Sequence, residues 1–152
     1  MKISAILAPT AVVPQLAATD KIGALRELSR ALAGSVDGVE ETAVFRALSE
    51  RESRGSTSIG RGVAIPHAKL DGLSRIHAAF GRSAKGIPFE SPDGRPTHLI
   101  FLLLAPGNDT SGYLAALNHV SKMMWRDENR RRLLSADDGM MFDVLQQVDE
   151  EV

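Results

Sequence analysis

The sequence predicts an α/β protein: a three-layer α/β/α sandwich with a mixed central sheet of about four to five strands and helices on both faces. Three observations predict it. Thr97–Ala105 (THLIFLLLA) is apolar at nearly every position after His98, as expected of a central strand covered on both sides. Helical periodicity governs the first and last thirds of the chain. Short runs of β character lie between them, an order that layers helices around a sheet.

Ile3–Leu7 reads as a short helical turn, and Ala11–Leu16 as a strand that Pro14 confines to a sheet edge. Thr19 or Asp20 caps a helix over Asp20–Ala33, with Ile22, Leu25, Leu28 and Leu32 on one stripe and Gly34 as its stop. A second helix spans about Val39–Ser53, turning Val44, Phe45 and Leu48 inward, with Gly55 just beyond it. Val63–Ile65, Ile76–Arg82 and Ile87–Phe89 are strand-like, and Ser91–Pro96 (SPDGRP) is a turn by composition. Thr110 or Ser111 opens a helix to Trp125, its stripe being Tyr113, Leu114, Leu117, Val120 and Met124. Glu128–Leu134 forms a short helix. Asp137 caps the last one, which packs Met141, Val144, Leu145 and Val148.

The 152 residues fit one domain, 1–152, with enough core to need no staple. With no cysteine, disulfides, zinc–thiolate sites and thiol nucleophiles are excluded. A net charge of −1 without a long basic block disfavours nucleic-acid and anionic-membrane binding. The N-terminus is too short and too interrupted by Pro9 and Pro14 for a signal segment, and no apolar run is long enough to insert in a membrane. A cytoplasmic location is expected.

The four histidines, His67, His77, His98 and His119, show no close metal-ligand spacing, and neither a metal nor a cofactor is expected. G-x-S-x-G and the glycine-rich nucleotide fingerprints are also absent. His77, His98 and His119 read as surface or satisfied core residues. His67 stands apart in Gly60–Lys69 (GRGVAIPHAK). Pro66 fixes one backbone angle and holds Ile65 extended, so the imidazole is aimed with little freedom. Gly60 and Gly62 let main-chain amides approach a small anion. Arg51, Arg54, Ser56, Thr57 and Arg61 supply donors suited to phosphate oxygens. A neutral imidazole is a competent nucleophile near pH 7. Phosphoryl transfer needs positioning and positive donors more than acid–base work, so a phosphohistidine is one reading of the pattern, beside that of an ordinary surface or core histidine.

GSTSIGRGVAIPHAK closely resembles the active-site signature of the fructose/mannitol-type enzyme IIA family of the bacterial phosphotransferase system. The likeness runs from Glu52 through Ile59-Gly60 to Val63-Ala64-Ile65-Pro66-His67-Ala68 and extends through IPFESPDGRPTHLIFLLLAPGNDTSGYLAALNHVSKMM. Within that family, ERESRGSTSIGRGVAIPHAKLDGL looks most like the nitrogen-regulatory enzyme IIA. The resemblance implies that His67 accepts a phosphoryl group on Nε2 from a histidine-containing phosphocarrier protein and that Arg51 stabilises it. Regulatory output toward cytoplasmic targets, a transporter or a kinase, is the leading expectation. The alternatives are a sugar-specific enzyme IIA passing phosphate to a separate enzyme IIB, and a non-catalytic anion-binding domain.

Sugar-type relatives carry a second active-site histidine on the helix after the L-x-x-P turn, where this chain has Tyr113. His119 lies six residues on, about 240° around the helix. Tyr113 is expected to donate a hydrogen bond or to cover the imidazole. A shallow apolar docking patch is expected around the site, with Val63, Ile65, Leu70 and Leu73 as candidates, some of them core.

Overall fold

The computed structural model describes residues 2–150. Its strands are β1 (Leu7–Val13), β2 (Ser58–Gly60), β3 (Val63–Ala64), β4 (His67–Leu70), β5 (His77–Ile87) and β6 (Thr97–Pro106). Its helices are α1 (Lys21–Ser35), α2 (Glu41–Ser53), α3 (Thr110–Trp125), α4 (Asp127–Ser135) and α5 (Met141–Glu150). A 3₁₀ turn at Ile3–Ala5 precedes β1, and another at Asp138–Met140 leads into α5.

The sheet is mixed and runs β1-β5-β6-β3-β2, with β4 also on β6. β6 is the central strand its composition predicts: Leu99–Ala105 are all buried. It pairs antiparallel with β5 on one side and parallel with β3 and β4 on the other. α1 packs on β1 and β5 and α2 on β4, while α3 and α4 pack on β6 and α5 on β1. The three-layer sandwich is therefore present, with six strands rather than four or five. β3 and β4 lie end to end along β6, Val63 opposite Leu99 and His67 opposite Leu103. Pro66 separates them because it brings no N–H to the ladder, although its carbonyl still accepts the Leu103 N–H at 2.9 Å.

Several boundaries differ from the sequence reading. The first strand begins at Leu7, and Pro9 sits inside it, tolerated because β1 is the sheet edge. The register shifts between Leu7, opposite Ala78, and Val12, opposite Phe80, which marks a bulge. Ile87 closes one continuous strand from His77 instead of opening its own. Asp20 caps α1 by accepting the Gly23 N–H at 2.7 Å. Asp137 precedes the 3₁₀ turn rather than α5 itself. Ile22 and Leu114, expected in buried stripes, are 55% and 54% exposed. Ile22 is the second residue of α1 and Leu114 the fifth of α3, so both lie near the start of their helices.

Candidate functional site

β4 places His67 on a strand, whereas the sequence reading ends the strand-like run at Ile65. The residue opens a strand, half-buried, beside Leu103 of β6. Its Nδ1–H donates to the Ile65 carbonyl at 2.6 Å, since a carbonyl can only accept. The tautomer is thereby set, and Nε2 keeps its lone pair with no hydrogen-bond partner among the described residues. Burial, with the positive charge of Arg51 as a smaller contribution, holds the ring's pKa below its ordinary value. Its hydrogen bond to Ile65 and the charge of Glu52 oppose that shift without reversing it. The imidazole is neutral at pH 7 and nucleophilic at one defined atom.

His67 lines an open cavity of about 510 Å³ together with Ala47, Glu50, Arg51, Arg54, Ala68, Lys69, Tyr113, Leu114 and Leu117. Arg51 comes from the last turn of α2, where a cation also suits the helix dipole. Its Nη1 donates to the Gly55 carbonyl at 3.0 Å, which pins the guanidinium. Lys69 follows His67 by two along β4 and so shares its face of the strand. Its Nζ donates to Thr110 Oγ1 at 2.8 Å and stands 5.5 Å from the Tyr113 ring centroid. Arg54 pairs with Glu50 at 3.1 Å. Three cations against one carboxylate give the cavity a positive balance suited to an anionic group.

Tyr113, in the first turn of α3, places its ring 5.5 Å from that of His67, tilted by 59°. It covers the imidazole, and its hydroxyl has no hydrogen-bond partner among the described residues. Burial raises the phenol's pKa, so it stays protonated.

The other predicted cradle residues lie elsewhere and do not line this cavity. Ser56 Oγ donates to the Phe89 carbonyl at 2.5 Å. Thr57 is buried against Glu52, to which both its amide and its hydroxyl donate. Gly60, Arg61 and Gly62 make the turn between β2 and β3, all three at positive φ (82°, 58° and 79°), which explains the flanking glycines. The turn does hold an anion, but an internal one: Asp93 Oδ2 accepts the Arg61 N–H at 2.8 Å. The Arg61 side chain stacks 4.5 Å from the Trp125 ring centroid and pairs with Asp127 at 3.7 Å. Val63 and Ile65, candidates for the docking patch, are core residues, whereas Leu70 and Leu73 are half-buried.

Lys69 and Leu114 are site residues that the sequence reading missed. The spacing of Lys69 from His67 is the signal that would have found it, once His67 is placed on a strand.

His98 donates through Nδ1 to the Ser83 carbonyl at 2.8 Å, and His119 pairs with Asp149, so both are satisfied structural residues. No cluster of metal-ligating side chains occurs among the described residues, and no helix among them is long and apolar enough to cross a membrane.

A three-layer α/β sandwich that presents one neutral imidazole among cations is built like a phosphoryl-carrier domain. The model of the family described as "Phosphoenolpyruvate-dependent sugar phosphotransferase system, EIIA 2" matches residues 5–147. The chain belongs to this family. It is 43% identical over 136 residues to a nitrogen regulatory protein of Bradyrhizobium diazoefficiens, covering 90% of this chain and 88% of that one. It is 35% identical over 153 residues to the fructose-specific EIIABC component of Bacillus subtilis, covering 99% of this chain but 24% of that longer protein. Among solved structures, the nitrogen regulatory protein IIA-Ntr of Neisseria meningitidis superposes with a TM-score of 0.86 at 30% identity, covering 94% of this chain and 98% of that one.

Proposed function

We propose that the protein is a regulatory phosphoryl carrier of a nitrogen-type phosphotransferase system, with His67 as its acceptor. The Nε2 lone pair of His67 attacks the phosphorus of the phosphohistidine on a histidine-containing phosphocarrier protein. The new N–P bond forms as the donor's N–P bond breaks, and the electron pair returns to the donor imidazole. Nδ1–H stays on His67 throughout, so no proton need be moved. Arg51, with Lys69 and Arg54 beside it, faces the charge spread over the equatorial oxygens in the loose transition state. One observation carries the reading: the 2.6 Å bond from Nδ1–H to the Ile65 carbonyl, which leaves Nε2 free on a cationic cavity.

The regulatory half of the proposal draws on the likeness to nitrogen regulatory proteins and on Tyr113 standing where sugar-type relatives are expected to carry a second histidine. The likeness to a fructose-specific component favours a second reading, a sugar-specific enzyme IIA that passes phosphate to a separate enzyme IIB. Incubation with phosphoenolpyruvate, enzyme I and the carrier should add one phosphate's mass, lost in mild acid and kept in mild base as for a phosphoramidate. His67→Ala should gain none, and label surviving in that variant removes His67 from the mechanism. Discharge of the phosphoprotein by a sugar-specific enzyme IIB would turn the assignment to the second reading.

A further inference from the structure

We propose that Glu52 is a positioning residue for His67, acting through the main chain of Thr57 and Ile65; the inference rests on His67 being the phosphoryl acceptor. Glu52 ends α2 and is 7% exposed, an expensive place for a carboxylate unless every lone pair is used. Its Oε1 accepts the Thr57 N–H at 2.9 Å, and its Oε2 accepts the Thr57 hydroxyl at 2.7 Å. Lys21, the first residue of α1, stands 3.1 Å from Oε1 and is itself held at 2.8 Å by Glu90. The carboxylate thus clamps Thr57 from two directions.

Thr57 passes the constraint on. Its carbonyl accepts the Ile65 N–H at 3.0 Å, and the Ile65 carbonyl accepts Nδ1–H of His67 at 2.6 Å. This link matters because the ladder is weakest there. β3 stops at Ala64, β4 starts at His67, and Pro66 offers no N–H. The carbonyl that orients the imidazole therefore belongs to a residue whose amide is held by Thr57. The same turn also sets Arg51. The Glu52 carbonyl accepts the Gly55 N–H at 3.1 Å, and the Gly55 carbonyl holds Arg51 Nη1 at 3.0 Å. One buried residue thus fixes both the nucleophile and its cation, within the fraction of an ångström that transfer geometry tolerates.

The test compares Thr57→Val, Thr57→Ser and Glu52→Gln with the unaltered full chain. Two readouts are taken. One is the single-turnover rate of phosphorylation by the phosphorylated carrier, split into maximal rate and half-saturation. The other is the ¹⁵N spectrum of the His67 ring in unphosphorylated protein, which reports the tautomer without any transfer. Thr57→Val is expected to lower the maximal rate about tenfold at unchanged half-saturation and to mix the two ring tautomers. Thr57→Ser, which keeps the hydroxyl, restores both, and Glu52→Gln gives a smaller change of the same kind. Wild-type rate and tautomer in Thr57→Val and Glu52→Gln overturn the proposal. So does a lowered melting midpoint with an unaltered tautomer, which marks a purely structural role. If the unaltered chain takes up no phosphate, the acceptor reading fails, and the ring spectrum still decides whether Thr57 and Glu52 set the imidazole.

Discussion

The Tyr113 ring lies 5.5 Å from the His67 imidazole at an angle of 59°, and its hydroxyl bonds to nothing among the described residues. The contact is one of cover rather than of hydrogen bonding. Tyr113→Phe, which keeps the ring, is therefore expected to accept phosphate within about twofold of the parent rate. Tyr113→Ala removes part of the burial that depresses the imidazole, and its His67 pKa should rise toward the ordinary value near 6.5. Kinetics of the first variant and a ring titration of the second check the pair. A Tyr113→Phe rate lowered a hundredfold would instead assign a working role to the hydroxyl.

Arg51 pushes the His67 pKa down and faces the cavity that the ring lines. Arg51→Ala should slow phosphoryl uptake about a hundredfold, in line with losing one preorganised donor at a developing charge. It should also raise the imidazole pKa. Arg51→Lys recovers only part of the rate, because a lysine ammonium cannot hold the Gly55 carbonyl and present a fork at once. A variant with normal rate would make Arg51 a helix-end cation and nothing more.

The sequence made the scaffold legible wherever patterning was strong and local. Thr97–Ala105 had to be central, and α1, α2, α3 and α5 followed from their stripes; of the expected caps only Asp20 of α1 holds, since Asp109 rather than Thr110 or Ser111 caps α3 and Asp137 precedes the 3₁₀ turn. His67 stood out because proline, glycine and apolar neighbours constrain it within ten residues. What failed depended on distant partners. One amide of the Gly60–Gly62 turn, that of Arg61, donates to a carboxylate, but that carboxylate is Asp93, some thirty residues downstream. β4 is only four residues long and starts directly after a proline, too short to show alternation, so Lys69 goes unseen beside His67. Leu114 fits the stripe of α3, yet it stays 54% exposed on the rim of the His67 cavity, which periodicity alone does not reveal.

The Arg61 turn yields a prediction that separates cradle from scaffold. Arg61 stacks on Trp125 and meets Asp127, and none of the three lines the His67 cavity. Arg61→Ala should leave the phosphorylation rate within about twofold while costing about 1 kcal/mol of stability through the lost cation–π contact and ion pair. Chemical denaturation and the transfer assay, run on the same preparation, check it. A large fall in rate with stability intact would return Arg61 to the site.

The depressed His67 pKa sets two pH dependences. Uptake of phosphate needs the neutral ring, so the acid limb of the rate profile should fall below pH 6.5, the ordinary histidine value. Stability follows the same direction. The unfolded chain protonates near 6.5 and the folded one at lower pH, so acid favours the unfolded state. The contribution is intact above about pH 6.5 and is lost as pH falls through the folded value. His77, buried and beside Arg75, is lowered likewise and adds to the effect. His67→Ala should therefore retain part of the acid destabilisation while losing phosphorylation altogether. Stability that is flat between pH 7 and pH 5 in the parent chain contradicts the assignment.

Leu114 is 54% exposed on the rim of the His67 cavity, one residue beyond the tyrosine that covers the ring. An apolar side chain left open beside a site that a protein partner must reach is suited to transient docking. Its burial in the free protein is slight, so Leu114→Glu should fold normally. The added negative charge also opposes an incoming phosphoryl group. Half-saturation by the phosphorylated carrier is expected to rise about tenfold with the maximal rate nearly unchanged, because docking is weakened while the His67 geometry is untouched. Leu134, 48% exposed on α4 and absent from the cavity's lining, is the matched control, and Leu134→Glu should alter neither parameter. Equal effects from the two substitutions would mean that general surface charge, rather than contact at the rim of the site, governs the encounter.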